Sequence, residues 1–397
     1  MIDLPVIKLK KQRERSVQKK HPWIFSGAIS QIQGDPVDGE TIAVVSASGD
    51  FLAWGAYSKK SQIAIRVWSW NENERIQKDF FIQRLSKAME MRRNIGLPEI
   101  TDAMRLVHAE SDGIPGLVVD QYGHMLVIQF LSSGTEYWRS TILESLMDLF
   151  PGQSVYERSD VDARLLEGLE TRSELVAGCE PGERTYILDG GIHFGVDIRR
   201  GHKTGFYLDQ RKNRKQIQKY AQGHDVLDCF SYTGGFSIHS LIAGAKSVVS
   251  VDSSKYHLAM LSENLELNKL TERTELIEGD VFRILRSFRD QRRLFDLIIL
   301  DPPKFAQTTY QVDKAARAYK DINLLAFKLI RPGGYLVTFS CSGGVSEELF
   351  QKIVASAAFD ASVNGRILEH LHQDVDHPVS LYFPEGYYLK GLVIEVN

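Results

Sequence analysis

Two residues of reactive type close apolar runs in the C-terminal half of the chain. Asp301 follows Leu297–Leu300 within DLIILDPPKF (residues 296–305), and Cys341 follows GYLVTFS. An unbroken apolar run reads as a parallel strand covered on both faces. Pro302 and Pro303 cannot extend it, because they donate no ladder hydrogen bonds and fix φ. Asp301 is therefore expected at a strand's carboxyl end, where open α/β sheets hold ligands. Cys341 lies between Ser340 and Ser342 and ahead of Gly343 and Gly344, a polar turn on the same edge. A thiolate there is a nucleophile, while a carboxylate and the Lys304 cation can steady charge developing on a ring. Carbon-5 of a pyrimidine is a poor nucleophile, but a thiolate added at carbon-6 makes the ring an enamine that can attack a methyl group. Cys341, Asp301 and Lys304 supply those parts, with the Cys341 thiol expected to ionise below the ordinary value of about 8.5. The base that removes the carbon-5 proton has no assignment. Cys229 reads instead as a small buried hydrophobe.

A methyl donor has its own signature upstream. DVLDCFSYTGGFSIHSLIAGAKSVVSVD (residues 225–252) reads as a βαβ unit whose first turn carries Asp228, Gly234 and Gly235, and whose second strand ends at Asp252. Glycines let backbone approach a ligand at a helix start, and an acid at the second strand's end accepts from ribose hydroxyls. The GxGxxG spacing for a dinucleotide pyrophosphate is missing, which favours S-adenosylmethionine over a nicotinamide cofactor. Asp228, Asp252, Asp280 and Asp301 recur at successive strand ends, and the set resembles the motifs of class I S-adenosylmethionine-dependent methyltransferases. That resemblance implies that Asp252 and Ser253 hold the ribose, and Asp280 and Val281 the adenine. It also implies that Asp228, Phe230, Ser231, Thr233 and Gly234 surround the methionine tail, with Asp301 and Pro302 beside it. Asn268 matches an asparagine that often follows the second helix, and equally suits a helix C-cap. DPPK resembles the Asp/Asn-Pro-Pro-aromatic motif of base and amine methyltransferases, with Lys304 in the aromatic's place.

The 397 residues, 43% hydrophobic and 25% charged, suit a soluble α/β protein of several domains. A net charge of −3 excludes a generic polyanion binder, so nucleic-acid contact must come from local basic patches. The three cysteines are scattered without CxxC or histidine spacing, so no metal site is expected. No signal peptide or membrane-spanning run is read, and a cytoplasmic location is expected. Residues 1–72 (ETIAVVSA, FLAWGAYS, IAIRVWSW) read as a small β-barrel, and 73–200 as an α+β domain. Residues 201–397 read as a Rossmann-like doubly wound sheet closed by an antiparallel hairpin within YFPEGYYLKGLVIEV.

HPWIFSGAI, ESDGIPGLVVDQYG, VYERSD, GHKTGFYLDQR, CFSYTGGF, DPPKF, YKDIN, TFSCS and PEGYYLKG run nearly end to end through the chain. In this order they resemble the bacterial ribosomal RNA large subunit methyltransferase I family, which methylates carbon-5 of a cytosine in 23S rRNA. The resemblance implies an N-terminal PUA domain, a central α+β domain and a C-terminal methyltransferase domain. It also implies that Tyr207, Asp209, Gln210 and Arg211 lie against the cofactor. Lys10, Lys11, Arg13, Lys19, Lys20 and His21 ahead of Trp23 fit phosphate neutralisation and base stacking, and Lys203 belongs to a second basic run. Two other readings stay open: an RNA methyltransferase for an exocyclic amine, which would not need Cys341, and a non-catalytic RNA-binding assembly factor.

Overall fold

The computed structural model describes residues 4–305 and 312–397. By internal contacts the chain divides into two units. One comprises Met1–Gly191, Val196–Leu208 and Val375–Gly386; the other comprises Ile192–Gly195, Asp209–Asp374 and Tyr387–Asn397. No helix among the described residues is long and apolar enough to cross a membrane.

The first unit holds a six-stranded and a five-stranded sheet. Val6–Leu9, Trp23–Ile24, Ile29–Gln33, Thr41–Val45, Phe51–Tyr57 and Ile65–Ser69 form a six-stranded sheet, in which Val6–Leu9 runs parallel to Thr41–Val45 and antiparallel to Ile29–Gln33. Alternation along these strands buries Ile7, Leu9, Ile42, Val44, Ile65 and Val67 together. The five-stranded sheet is Ala103–His108, Leu117–Tyr122, Met125–Phe130, Ser154–Ser159 and Arg172–Ala177. Helices Lys78–Asn94 and Arg139–Leu149 pack on each other. Trp68, from the six-stranded sheet, sits in one apolar cluster with Phe80, Phe81, Leu126 and Ile128.

The second unit is built on a seven-stranded sheet: β1 (Asp225–Cys229), β2 (Ser247–Asp252), β3 (Thr274–Glu278), β4 (Phe295–Leu300), β5 (Ile330–Ser340), β6 (Gly365–Leu371) and β7 (Lys390–Val396). The spatial order is 3-2-1-4-5-7-6. All pairings are parallel except those of β7, which is antiparallel to both neighbours. Helices α1 (Gly235–Ile242), α2 (Lys255–Leu267), α3 (Val281–Asp290), α4 (Val312–Phe327) and α5 (Glu347–Asp360) alternate with the strands. In α3, Val281, Leu285 and Phe288 are buried, the i, i+4, i+7 stripe of a helix lying on a sheet. Ile298, Leu300, Leu336, Tyr319 and Ile394 share the core, and Leu297 and Ile299, facing the other way, are buried as well, so both faces of β4 are covered.

The closing hairpin differs from its sequence expectation. Pro384–Gly386 is a 3-10 turn, and only Lys390–Val396 of that segment is a strand. Its partners are β5 and β6, from earlier in the chain. Proline and glycine end the extended run that the aromatic residues around them would favour.

Candidate functional site

Candidate residues gather at the carboxyl ends of β1, β2, β4 and β5. After β1 the backbone takes left-handed φ at Phe230 (61°), Tyr232 (49°) and Gly234 (90°). Such φ costs a non-glycine residue on the order of 1–2 kcal/mol, strain that folds retain chiefly at ligand sites. At Gly234 a Cβ would lie 2.7 Å from Leu261 Cγ, so glycine is required where α1 begins.

Asp228 is 1% exposed. Its Oδ2 accepts from Ser237 Oγ at 2.6 Å. Its Oδ1, with Ser231 Oγ and Thr233 Oγ1, is buried and has no hydrogen-bond partner among the described residues. Burial raises the Asp228 carboxyl to about 7, helped by the charge of Asp252 and opposed by the hydrogen bonds of Ser237. Three orphaned polar atoms on one six-residue turn are costly unless a ligand satisfies them. An acceptor carboxylate and two hydroxyls match the ammonium and carboxylate of an amino-acid tail, so these residues fit the methionine end of S-adenosylmethionine.

Asp252 Oδ2 accepts from the Tyr232 amide and Oδ1 from the Ser254 amide, both at 2.9 Å. Its burial favours the neutral acid, but hydrogen bonds from His257, Ser254 and Tyr232 outweigh it and hold the carboxyl below the ordinary range. A carboxylate offers about four lone-pair sites, so acceptors remain for hydroxyl groups. Ser253 beside it is exposed. Asp280 is the N-cap of α3, accepting from the Arg283 amide at 3.0 Å, and Val281 behind it is buried. Asn268 is the C-cap of α2, and its amide donates to the carbonyls of His193 (2.7 Å) and Asn264 (2.8 Å). Its side-chain carbonyl oxygen accepts from the His193 amide at 3.1 Å, so the side chain ties that helix end to the strand Ile192–Val196.

The segment ahead of the sheet is tied to the same rim. Asp209 Oδ2 accepts from the Tyr388 hydroxyl at 2.6 Å, Gln210 Nε2 donates to Asp301 Oδ2 at 3.0 Å, and Arg211 pairs with Asp374 at 2.7 Å. Asp301 follows β4, and the carbonyl of Pro302 lies 4.0 Å from Cys341 Sγ. Cys341 is half-buried, Lys304 is exposed, and Cys229 is fully buried, its thiol pushed well up by burial and by Asp228. Tyr319 and Lys390 were not legible as site residues. The Tyr319 hydroxyl lies 3.0 Å from Ser342 Oγ, and Lys390 Nζ donates to the Ser342 carbonyl at 2.9 Å. A lysine opening the otherwise apolar run KGLVIEV was the available signal.

Tyr207 and Lys203 belong to the first unit, where the Lys203 ammonium lies 5.8 Å from the Tyr207 ring. Lys10, Lys11, Arg13, Lys19 and Lys20 are exposed there. Lys10 donates to the Gly27 carbonyl, and the Lys20 ammonium stands 5.7 Å over the Tyr382 ring. His21 pairs with Glu385, while Trp23 donates to Glu110 at 2.8 Å and packs against Phe383. Phe25, 52% exposed, is the open aromatic beside them.

A sheet of order 3-2-1-4-5-7-6, with acids at its carboxyl edge and unmet polar atoms after β1, is the fold and site of an S-adenosylmethionine-dependent methyltransferase. The family of that description matches residues 169–377, and the PUA-like domain family matches residues 7–70. The chain belongs to the ribosomal RNA large subunit methyltransferase I family. It is 50% identical over 392 residues to the Aeromonas salmonicida member, covering 98% of this chain and 99% of that one. It is 46% identical to the Erwinia tasmaniensis member, covering 98% of each. A solved Streptococcus mutans structure described as a SAM-dependent methyltransferase shares the fold, with a TM-score of 0.84, 22% identity and coverage of 98% and 99%. A methyltransferase solved with SAH superposes with a TM-score of 0.85 at 23% identity, again over 98% and 99%.

Proposed function

We propose that this enzyme methylates carbon-5 of a cytosine in 23S ribosomal RNA, in the cytoplasm, through a covalent adduct with Cys341. The observation that carries the reading is the 4.0 Å approach of Cys341 Sγ to the carbonyl of Pro302, which brings a half-buried thiol to the turn that begins with Asp301. The relatives' name and the match of residues 7–70 to a PUA-like domain support ribosomal RNA as the substrate.

S-adenosylmethionine, when bound, supplies an electrophilic methyl group. The protein's part is to prepare the base. The Cys341 thiolate bonds to carbon-6, carbon-5 takes the methyl, the carbon-5 proton leaves to a base, and the thiolate is expelled as the ring regains its double bond. Asp301 and Lys304 steady the ring while charge moves through it. Asp228 and the loop to Gly234 hold the methionine tail, Asp252 and Ser253 the ribose, and Asp280 and Val281 the adenine. Tyr207 and Asp209–Arg211 lie against the cofactor. The lysine run beginning at Lys10 binds phosphate. In this reading residues 1–72 are the PUA-like RNA-binding barrel, 73–200 the central α+β domain and 201–397 the methyltransferase domain. The test is mass-spectrometric mapping of nucleosides in rRNA incubated with the protein and labelled cofactor. A label on carbon-5 of cytosine supports the reading, and a label on an exocyclic nitrogen overturns it.

A further inference from the structure

Lys390 opens β7 directly opposite Ser340, the last residue of β5, so it sits across the sheet from the residue preceding Cys341. Its position is 3% exposed. A buried ammonium costs several kcal/mol unless hydrogen bonds and an opposite charge offset its desolvation. The group has three donors. One goes to the carbonyl of Ser342, so the lysine already shapes the turn that carries the thiol. Its charged neighbours are Cys341, Lys304 after β4, and Glu347 in the first turn of α5. Glu347 is itself engaged by His370 at 2.8 Å and by the Tyr387 hydroxyl at 3.3 Å. Burial pulls the Lys390 ammonium down to about 8, with Cys341 and Glu347 acting to hold it charged and Lys304 acting against. A lysine this buried, within electrostatic reach of a second lysine and of a carboxylate engaged elsewhere, is best matched in charge when Cys341 is ionised.

We propose that Lys390 is the positioning residue that fixes Cys341 as a thiolate and aims it from the Ser342 turn toward Pro302. This rests on the reading of Cys341 as the nucleophile. A lysine that merely anchored the turn would leave the thiol's ionisation untouched, which is what an experiment separates.

The alkylation rate of Cys341 by iodoacetamide, followed by peptide mass spectrometry across pH in the full-length protein, reads the thiolate directly. Lys390→Met keeps the length of the side chain and removes the charge. It should move the midpoint of Cys341 alkylation up by about one pH unit, so that reactivity near neutrality falls about tenfold. Lys390→Arg should stay near wild type, and exposed Cys179 serves as the internal control with no change. An unchanged Cys341 midpoint in a Lys390→Met protein that melts cooperatively and binds S-adenosylmethionine overturns the proposal. Coupling is reciprocal, so a second measurement serves if that variant does not fold. In Cys341→Ser the side-chain ammonium resonance of Lys390 should titrate at lower pH than in wild type, and an unchanged titration overturns the proposal equally. Trapping of wild type by RNA carrying 5-fluorocytosine judges the nucleophile itself. Absence of an adduct there, alongside a shifted midpoint, would sink the cytosine reading and leave the ion pair standing.

Discussion

Gln210 and Asp301 are 91 residues apart in sequence, yet Gln210 Nε2 donates to Asp301 Oδ2 over 3.0 Å. The amide is held in turn by Asn213, whose Nδ2 donates to Gln210 Oε1 at 2.6 Å, and Gln210 is 3% exposed. The carboxylate at the end of β4 is thus aimed by a buried side chain from before the sheet begins. Gln210→Ala removes a hydrogen bond to a charged group, a loss of about 1.5–3 kcal/mol if felt fully in the transition state. The expected result is kcat lower by one to two orders of magnitude, with a smaller change in cofactor affinity; steady-state kinetics beside calorimetry check it.

Asp252→Ala should weaken S-adenosylmethionine binding by about 1.5–3 kcal/mol, the size of a hydrogen bond to a charged group, under the proposal that its ionised carboxylate accepts from ribose hydroxyls. Calorimetry on the folded variant checks it, and unchanged affinity removes Asp252 from the site.

Asp228 carries a pH signature. Its folded carboxyl is raised to about 7, so between the ordinary carboxylate value and 7 the folded state binds more protons than the unfolded chain. Its contribution to stability is therefore full at acid pH and is lost as pH rises through 7. Asp228→Asn keeps an acceptor for Ser237 and removes the titration. The variant should gain on wild type as pH rises from 4 to 8, by an amount on the order of 4 kcal/mol at the upper end. Urea unfolding of both cofactor-free proteins across that range checks it, and a constant gap contradicts it.

The RNA surface is best tested by charge, since Trp68 shares its apolar cluster with Phe80 and Phe81 and deletion of residues 1–72 would open that core. Lys11→Glu with Lys19→Glu should raise KM for rRNA, leave S-adenosylmethionine affinity unchanged, and reduce the salt slope by about one for each lost phosphate contact. An unaltered slope would mark this basic run as a solvated face.

The strands of the methyltransferase sheet were legible because strands covered on both faces read as apolar runs. SVVSVD is β2 to the residue, and DLIILD brackets the end of β4. Asp252 and Asp301 were legible because each stands where such a run stops, whereas Asp228 is the last residue but one of β1 and Asp280 follows the part-exposed β3 by two residues. The contacts that orient these acids were not legible. Gln210 with Asp301, Tyr388 with Asp209 and Lys390 with Ser342 join segments distant in sequence, and no local periodicity encodes a partner across a sheet. The same limit hid the grouping of Val375–Gly386 with the first unit, since that excursion lies between the two strands of an antiparallel pair. Asn268 combines both cases: it caps its own helix through Asn264, and it also pairs with the backbone of His193, 75 residues away, a contact its spacing does not reveal.

The most direct test of the account is the site of covalent attachment. Fluorine at carbon-5 cannot leave as the proton does, so ribosomal RNA carrying 5-fluorocytosine at the target should trap the wild-type enzyme. Mass spectrometry should map the adduct to Cys341. Cys229→Ala should trap as well and retain methyl transfer, losing only packing energy from the core. Cys341→Ala should form no adduct and transfer no methyl group, while binding S-adenosylmethionine as wild type does. An active Cys341→Ala enzyme, or an adduct that maps to Cys229, would contradict the account and return amine methylation as the better reading.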